Sequence, residues 1–214
     1  MLLNITTRIT DRLAPAVSRP LLCITEGVLD ISCLTTFSQI LHAADADIPD
    51  LYQLADQGKV IFLPAGGGDL AAWATRLAPL ACPEFFLCDR EQFPETELRQ
   101  RVVDHINIRS RCYAALTKKR SLENYLHPVA IAESLGVTIE INDETPVAEL
   151  VARSQIEPSN WSSMPRRHQQ RLIYRVKRRL NFDTARQMTA EQLADRDPQG
   201  EILGWFRTIA RLLT

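Results

Sequence analysis

Apolar positions along the chain follow two different periods. Short continuous runs predict buried strands at Leu21–Thr25, 59–64 and Glu84–Cys88. Pro20 precedes the first run and Glu26-Gly27 follows it, while Gly66-Gly67-Gly68 ends the second. Between the runs, Leu29, Leu34, Phe37, Ile40 and Leu41 recur at helical spacing, and residues 69–80 do the same. Strands alternating with helices of this length predict an α/β fold with a mostly parallel sheet and right-handed crossovers. In such sheets, chemistry gathers at the carboxyl ends of the strands.

Beyond Glu97 the period is helical, with segments predicted at 97–108, 121–135, 146–154, 165–180, 189–196 and 200–213 and a short strand at 113–117. Thr189 with Gln192 reads as a capping box, and Asp197-Pro198 opens the last helical region. The expected organisation is an N-terminal segment at 1–19, an α/β domain at 20–140 and a helical C-terminal appendage at 141–214. Neither an internal repeat nor a low-complexity segment is present.

With 214 residues, 45% of them hydrophobic, the chain can bury a substantial core. A formal net charge of −1 advertises no polyanionic partner, so any nucleic-acid surface has to arise from local clustering. The five cysteines form no Cys-x-x-Cys pair and read as reduced thiols. There is no basic-then-apolar leader and no apolar run near the roughly 20 residues of a membrane span, so the expectation is a soluble, cytoplasmic protein without membrane contact.

Acids follow two of the strands: Glu26 and Asp30 after the first, Asp89 and Glu91 after the third. Taken singly, each is an ordinary turn or helix-start residue. Parallel strands would bring all four to one rim, where they would repel one another unless cations sat among them. Hard oxygen donors suit Mg²⁺ or Mn²⁺, and such ions support phosphodiester cleavage.

These residues resemble a known family. Thr25-Glu26-Gly27-Val28-Leu29-Asp30 is similar to the Toprim motif in the Glu-Gly-x-x-Asp form found in OLD-family (overcoming lysogenization defect) nucleases. Leu87-Cys88-Asp89-Arg90-Glu91 resembles the second Toprim motif, with Glu91 in place of the usual second Asp, and Ala65-Gly66-Gly67-Gly68-Asp69-Leu70 occupies the place of the family's glycine-rich turn. Lys119-Arg120-Ser121-Leu122-Glu123-Asn124-Tyr125-Leu126 is similar to the family's Lys-Arg-x-Ile-Glu-Asn-Tyr-Leu segment, and the run from Val176 through Asn181 to Trp205 resembles its helical tail. The resemblance spans about residues 20 to 214. It implies metal ligation by Glu26, Asp30, Asp89, Glu91 and Glu123, catalytic roles for Glu26 and Lys177, and a Mg²⁺- or Mn²⁺-dependent endonuclease acting on DNA ahead of RNA. A defence or repair setting is implied with it. No Gly-x-x-x-x-Gly-Lys-Ser/Thr loop is present, so an ATPase would be a separate chain or dispensable, and a homo-oligomer is allowed.

Basic residues crowd the helix predicted at 165–180, which contains no acid. Arg175, Lys177 and Arg178, together with Lys119 and Arg120, are the candidates for contacting phosphates; the plain alternative is a solvated face. His42, His105, His127 and His168 lack metal-ligand spacing and are assigned to the surface or to helix caps. Trp73, Trp161 and Trp205 sit in apolar contexts and are expected in the core or an interface, not as stacking platforms. Two other readings compete with the DNA nuclease: a small RNA-processing Toprim nuclease, and a non-catalytic nucleic-acid-binding or regulatory subunit.

Overall fold

The computed structural model describes residues 19–66 and 70–214. The N-terminal stretch 1–18 lies outside the described residues, as do Gly67, Gly68 and Asp69 of the glycine-rich turn.

Strand β1 (Leu21–Thr25) is buried at every position. It leads into helix α1 (Val28–Ala44), then α2 (Leu51–Asp56), β2 (Val60–Pro64), α3 (Leu70–Leu77), β3 (Glu84–Cys88), α4 (Glu95–Asn107) and β4 (Cys112–Leu116). All the ladders are parallel, and the spatial order is β2-β1-β3-β4. This is the α/β, Toprim-like arrangement expected: a parallel sheet flanked by helices and followed by a helical C-terminal part.

Side-chain alternation splits the sheet into two apolar faces. Leu22, Ile24, Phe86 and Ala114 pack on one side against Ala74 and Leu77 of α3 and Val103 and Ile106 of α4. Leu21, Cys23, Phe85 and Leu87 face the larger core, which includes Leu34 and Phe37 of α1 and most of the C-terminal helices. Those helices are α5 (Pro128–Leu135), α6 (Val147–Ser154), α7 (Pro158–Ser163), α8 (Arg166–Arg179), α9 (Ala190–Arg196) and α10 (Glu201–Leu213). Tyr125 joins them to the sheet side: its ring meets Trp205 edge-on at 5.6 Å, and its hydroxyl donates to Glu201.

Several details differ from the expected pattern. The helix predicted at 121–135 is a single 3₁₀ turn, Leu122–Tyr125, followed by α5. Pro128 separates the two, because a residue before proline is pushed out of the helical region, and His127 stands at ψ 135°. Its Nδ1 accepts from the Val129 N–H, so His127 caps α5. Helix α2 begins where the Asp50 carboxylate accepts from the Tyr52 and Gln53 N–H groups. Helix α7 starts on Pro158, with Trp161 buried beneath it. Neither short helix stands out from the apolar period. No helix among the described residues is long and apolar enough to cross a membrane.

Because α10 shares the larger core with the sheet, Phe206→Ala should cost about 3–5 kcal/mol of stability, read as a lower urea midpoint. A midpoint equal to that of the wild type would take Phe206 out of the core.

Candidate active site

Each acid reaches the carboxyl rim of the sheet by a different local device. Glu26 follows β1 directly, and its Oε1 accepts from the backbone N–H of Asp89 at 3.0 Å, which joins the ends of β1 and β3. Asp30 lies in the first turn of α1, where its Oδ2 accepts from the Gly27 N–H at 2.8 Å, a carboxylate placed at a helix N-terminus. Asp89 Oδ1 accepts from the Leu122 N–H at 3.0 Å. This bond brings in the 3₁₀ turn that carries Glu123.

Lys177 of α8 enters this group from the C-terminal part. Its Nζ is 3.3 Å from Glu123 and 3.7 Å from both Asp30 and Asp89. Beyond Arg179 the helix widens into one π turn, Leu180–Thr184, which aims Asn181 inward. The Asn181 amide donates to Glu123 Oε1 at 2.6 Å and to the Lys177 carbonyl at 2.9 Å. On the other side, Arg99 of α4 donates to Glu26 and, at 2.7 Å, to the Asp89 carbonyl.

The structure thus brings together Glu26, Asp30, Asp89, Glu123 and Lys177. Glu91 stands apart. It takes a left-handed backbone conformation (φ 56°), its N–H donates to the Arg120 carbonyl, and its carboxylate lies 3.9 Å from Arg120 Nε. Of the expected phosphate contacts, Arg175 and Arg178 are exposed on α8. Lys119 pairs with Asp143 and lies over the Tyr125 ring, and Arg120 is drawn towards Glu91. At the glycine-rich turn, Gly66 adopts φ 75° and its N–H donates to the Glu26 carbonyl at 2.8 Å, so a glycine suits that position for its backbone conformation. The sequence pattern points to no role for Arg99 or Asn181. The i,i+4 pair of Arg99 with Glu95 looks like any exposed helix pair, and only the fold reveals that Arg99 reaches residue 26.

Electrostatics at the rim are dominated by burial. Asp30, Asp89 and Glu123 are almost fully buried. Burial pushes the Asp30 carboxyl up to about 6; Lys177 opposes this, while Glu123 and Glu26 add to it. Burial likewise raises Asp89 well above the carboxylate range against the pull of Lys177. Burial also works against the charge of Glu123, but Lys177 and the Asn181 hydrogen bond outweigh it and hold this carboxyl low. Lys177 is held high by Glu123, Asp89 and Asp30 despite its own burial. The thiols of Cys33 and Cys88 are pushed up by burial first and then by the neighbouring carboxylates, so neither is suited to act as a thiolate.

Four carboxylates therefore face two cations, Lys177 and Arg99, and the buried Asp30 Oδ1 and Asn181 Oδ1 have no hydrogen-bond partner. That donor chemistry fits a hard dication. Among the described residues, however, no group of three or more His, Cys, Asp or Glu side chains is arranged to hold a metal ion. Lys177 stands where the oxygens of Asp30, Asp89 and Glu123 converge.

Among solved structures, the C-terminal region of the Xanthomonas campestris pv. campestris OLD protein matches with a TM-score of 0.51 and 15% identity, over 90% of this chain and 95% of that one. The fold is OLD-like. At that identity the likeness is one of fold. No protein-family model matches the chain, and none of the curated proteins matches its sequence. The OLD-like architecture accounts for the acids sharing one rim, since β1 and β3 are neighbouring parallel strands whose carboxyl ends lie side by side.

The raised Asp30 carboxyl fixes a pH dependence. A carboxyl whose folded value, about 6, exceeds its unfolded value binds more protons in the native state between the two. Its contribution to stability is therefore lost as pH rises through that window. Without metal, the melting temperature of Asp30→Asn relative to wild type should increase as pH is raised from about 4 to about 7. A difference that stays flat across this range would show that Asp30 carries no burial penalty.

Proposed function

We propose that this chain is a divalent-metal-dependent nuclease module that hydrolyses phosphodiester bonds, in DNA ahead of RNA. The observation that carries this reading is the excess of buried carboxylates over cations at the rim, with Asp30 Oδ1 accepting no hydrogen bond and Lys177 Nζ 3.7 Å away. The OLD-like fold supports it. Glu26, Asp30 and Asp89 would hold Mg²⁺ or Mn²⁺, with Glu123 beside them. Glu91, turned towards Arg120, is left out of this set. Held there, the dication would supply water activation and offset negative charge on the phosphate oxygens.

The chain's own residues supply the rest. Backbone N–H groups of Gly27, Asp89 and Leu122 fix the orientation of the three carboxylates. Lys177 shares those acids and would face the charge that develops at a scissile phosphate. Arg99 holds Glu26, and Asn181 holds Glu123. Arg175 and Arg178 remain open to a phosphate backbone, whereas Lys119 is engaged by Asp143 and Arg120 stands close to Glu91. A separate ATPase chain, a defence or repair role and a cytoplasmic setting belong to the same reading, and rest on the motif resemblance.

One observation favours a second reading. The ligand geometry is not preassembled, and Lys177 already neutralises much of the rim. This is what a non-catalytic nucleic-acid-binding subunit would also show.

Plasmid cleavage with Mg²⁺, Mn²⁺ or EDTA separates the two. Wild type should nick DNA only with metal, and its melting temperature should rise with Mn²⁺ through binding to the folded state. Glu26→Gln should cut at least about 100-fold more slowly, since even outer-shell changes weaken metal sites on that scale, and should remain folded. Metal-independent stability together with no cutting by wild type would favour the non-catalytic reading.

A further inference from the structure

Helix α8 has a second surface that the acid rim does not use. Arg167, Gln170, Arg171, Tyr174, Arg175 and Arg178 are all exposed and line one shallow groove. Their spacing of i, i+3, i+4, i+7, i+8 and i+11 makes them a single stripe along the helix. The helix from Arg166 to Arg179 contains no acid, and among the described residues none of these four guanidiniums has a carboxylate partner. By contrast Arg179, off the stripe, pairs with Asp183 at 3.8 Å.

Tyr174 lies in the middle of the stripe and is 61% exposed. Its ring contributes nothing to either hydrophobic core. An aromatic face held in solvent between guanidiniums combines the two elements that recognise unpaired nucleotides: cations for phosphates and a flat surface on which a base can stack. A duplex satisfies only the cations, because its bases are already stacked on one another. Lys177 is three residues beyond Tyr174, so the two are neighbours on the helix surface, and Lys177 reaches into the acid rim from the edge of the stripe.

We infer that the outer face of α8 is a track for single-stranded nucleic acid, in which Arg167, Arg171, Arg175 and Arg178 contact phosphates and Tyr174 stacks on a base. The track leads a strand past Lys177 towards the carboxylates. The inference deepens the nuclease reading by naming the form of its substrate, and rests on that reading only for what happens to the strand after binding.

The test is fluorescence anisotropy in EDTA, where no metal-dependent cleavage intervenes, with a labelled oligothymidylate and a labelled duplex of equal length. Wild type should bind the single strand more tightly. Tyr174→Ala should weaken single-strand binding about 5- to 100-fold, the range of one base–aromatic stack, and leave duplex binding unchanged. Tyr174→Phe should bind like wild type, since the ring remains. Arg171→Glu with Arg175→Glu should weaken both ligands and flatten the salt dependence. Equal wild-type affinity for strand and duplex would overturn the inference, as would Tyr174→Ala binding the single strand at full strength or losing both ligands alike. Thermal melts of each variant confirm folding, and the exposed positions should leave them unchanged. Plasmid cleavage run alongside keeps the two failures distinct. Lost cutting with an intact Tyr174 effect removes the nuclease and leaves the track, and the reverse result removes the track alone.

Discussion

The ammonium of Lys177, within 3.7 Å of Asp30, Asp89 and Glu123, is the interaction on which the rim depends. Three carboxyl groups so deeply buried carry a desolvation penalty of several kcal/mol per charge. One cation shared among them offsets that penalty only in part, which is why Asp30 and Asp89 remain raised while Glu123, the nearest to Lys177 and hydrogen-bonded to Asn181, is lowered. Burial and Lys177 therefore push the three carboxyls of a single cluster in different directions. The acid best able to stay charged is the one anchored from the C-terminal side.

Backbone donors do the positioning. Gly27, Asp89 and Leu122 each direct an N–H to a different carboxylate, and the three lie at the N-cap of α1, just after β3 and in the 3₁₀ turn. Charge-assisted bonds of this kind are short and strong for their type. They leave little freedom for the acids to swing towards solvent. The π turn at Leu180–Thr184 has a comparable effect on the other side, since it packs against α1 and α5 and carries the Asn181 amide to Glu123.

Much of this was legible in the sequence, for definite reasons. The strands β1 and β3 are short, wholly buried and bounded by turn residues, so their apolar runs mark them clearly, and the parallel order follows from the helices between them. Once the order is parallel, Glu26 and Asp89 must share a rim. The Thr189–Gln192 capping box is present as the residue types predict, with reciprocal bonds of 3.1 Å. What escaped was whatever depends on tertiary reach. Arg99 looks like half of a surface pair until α4 is seen beside β1 and β3, and Glu91 looks like a rim acid until its left-handed backbone turns it to Arg120. Glu84 and Arg109 form a bidentate pair at the opposite end of β3, at 2.7 and 2.8 Å, and no local pattern announces it.

The order in which the chain is synthesised meets the rim in an awkward sequence. Glu26, Asp30, Asp89 and Glu123 all precede Lys177, so a growing polypeptide exposes the acids before the lysine that balances them has been made. Until α8 arrives, Arg99 is the cation that the described residues set against the four carboxylates, and mutual repulsion works against closing that end. Translation thus leaves the acid cluster unbalanced until α8 has been made, and a partly made molecule is disfavoured from closing it early.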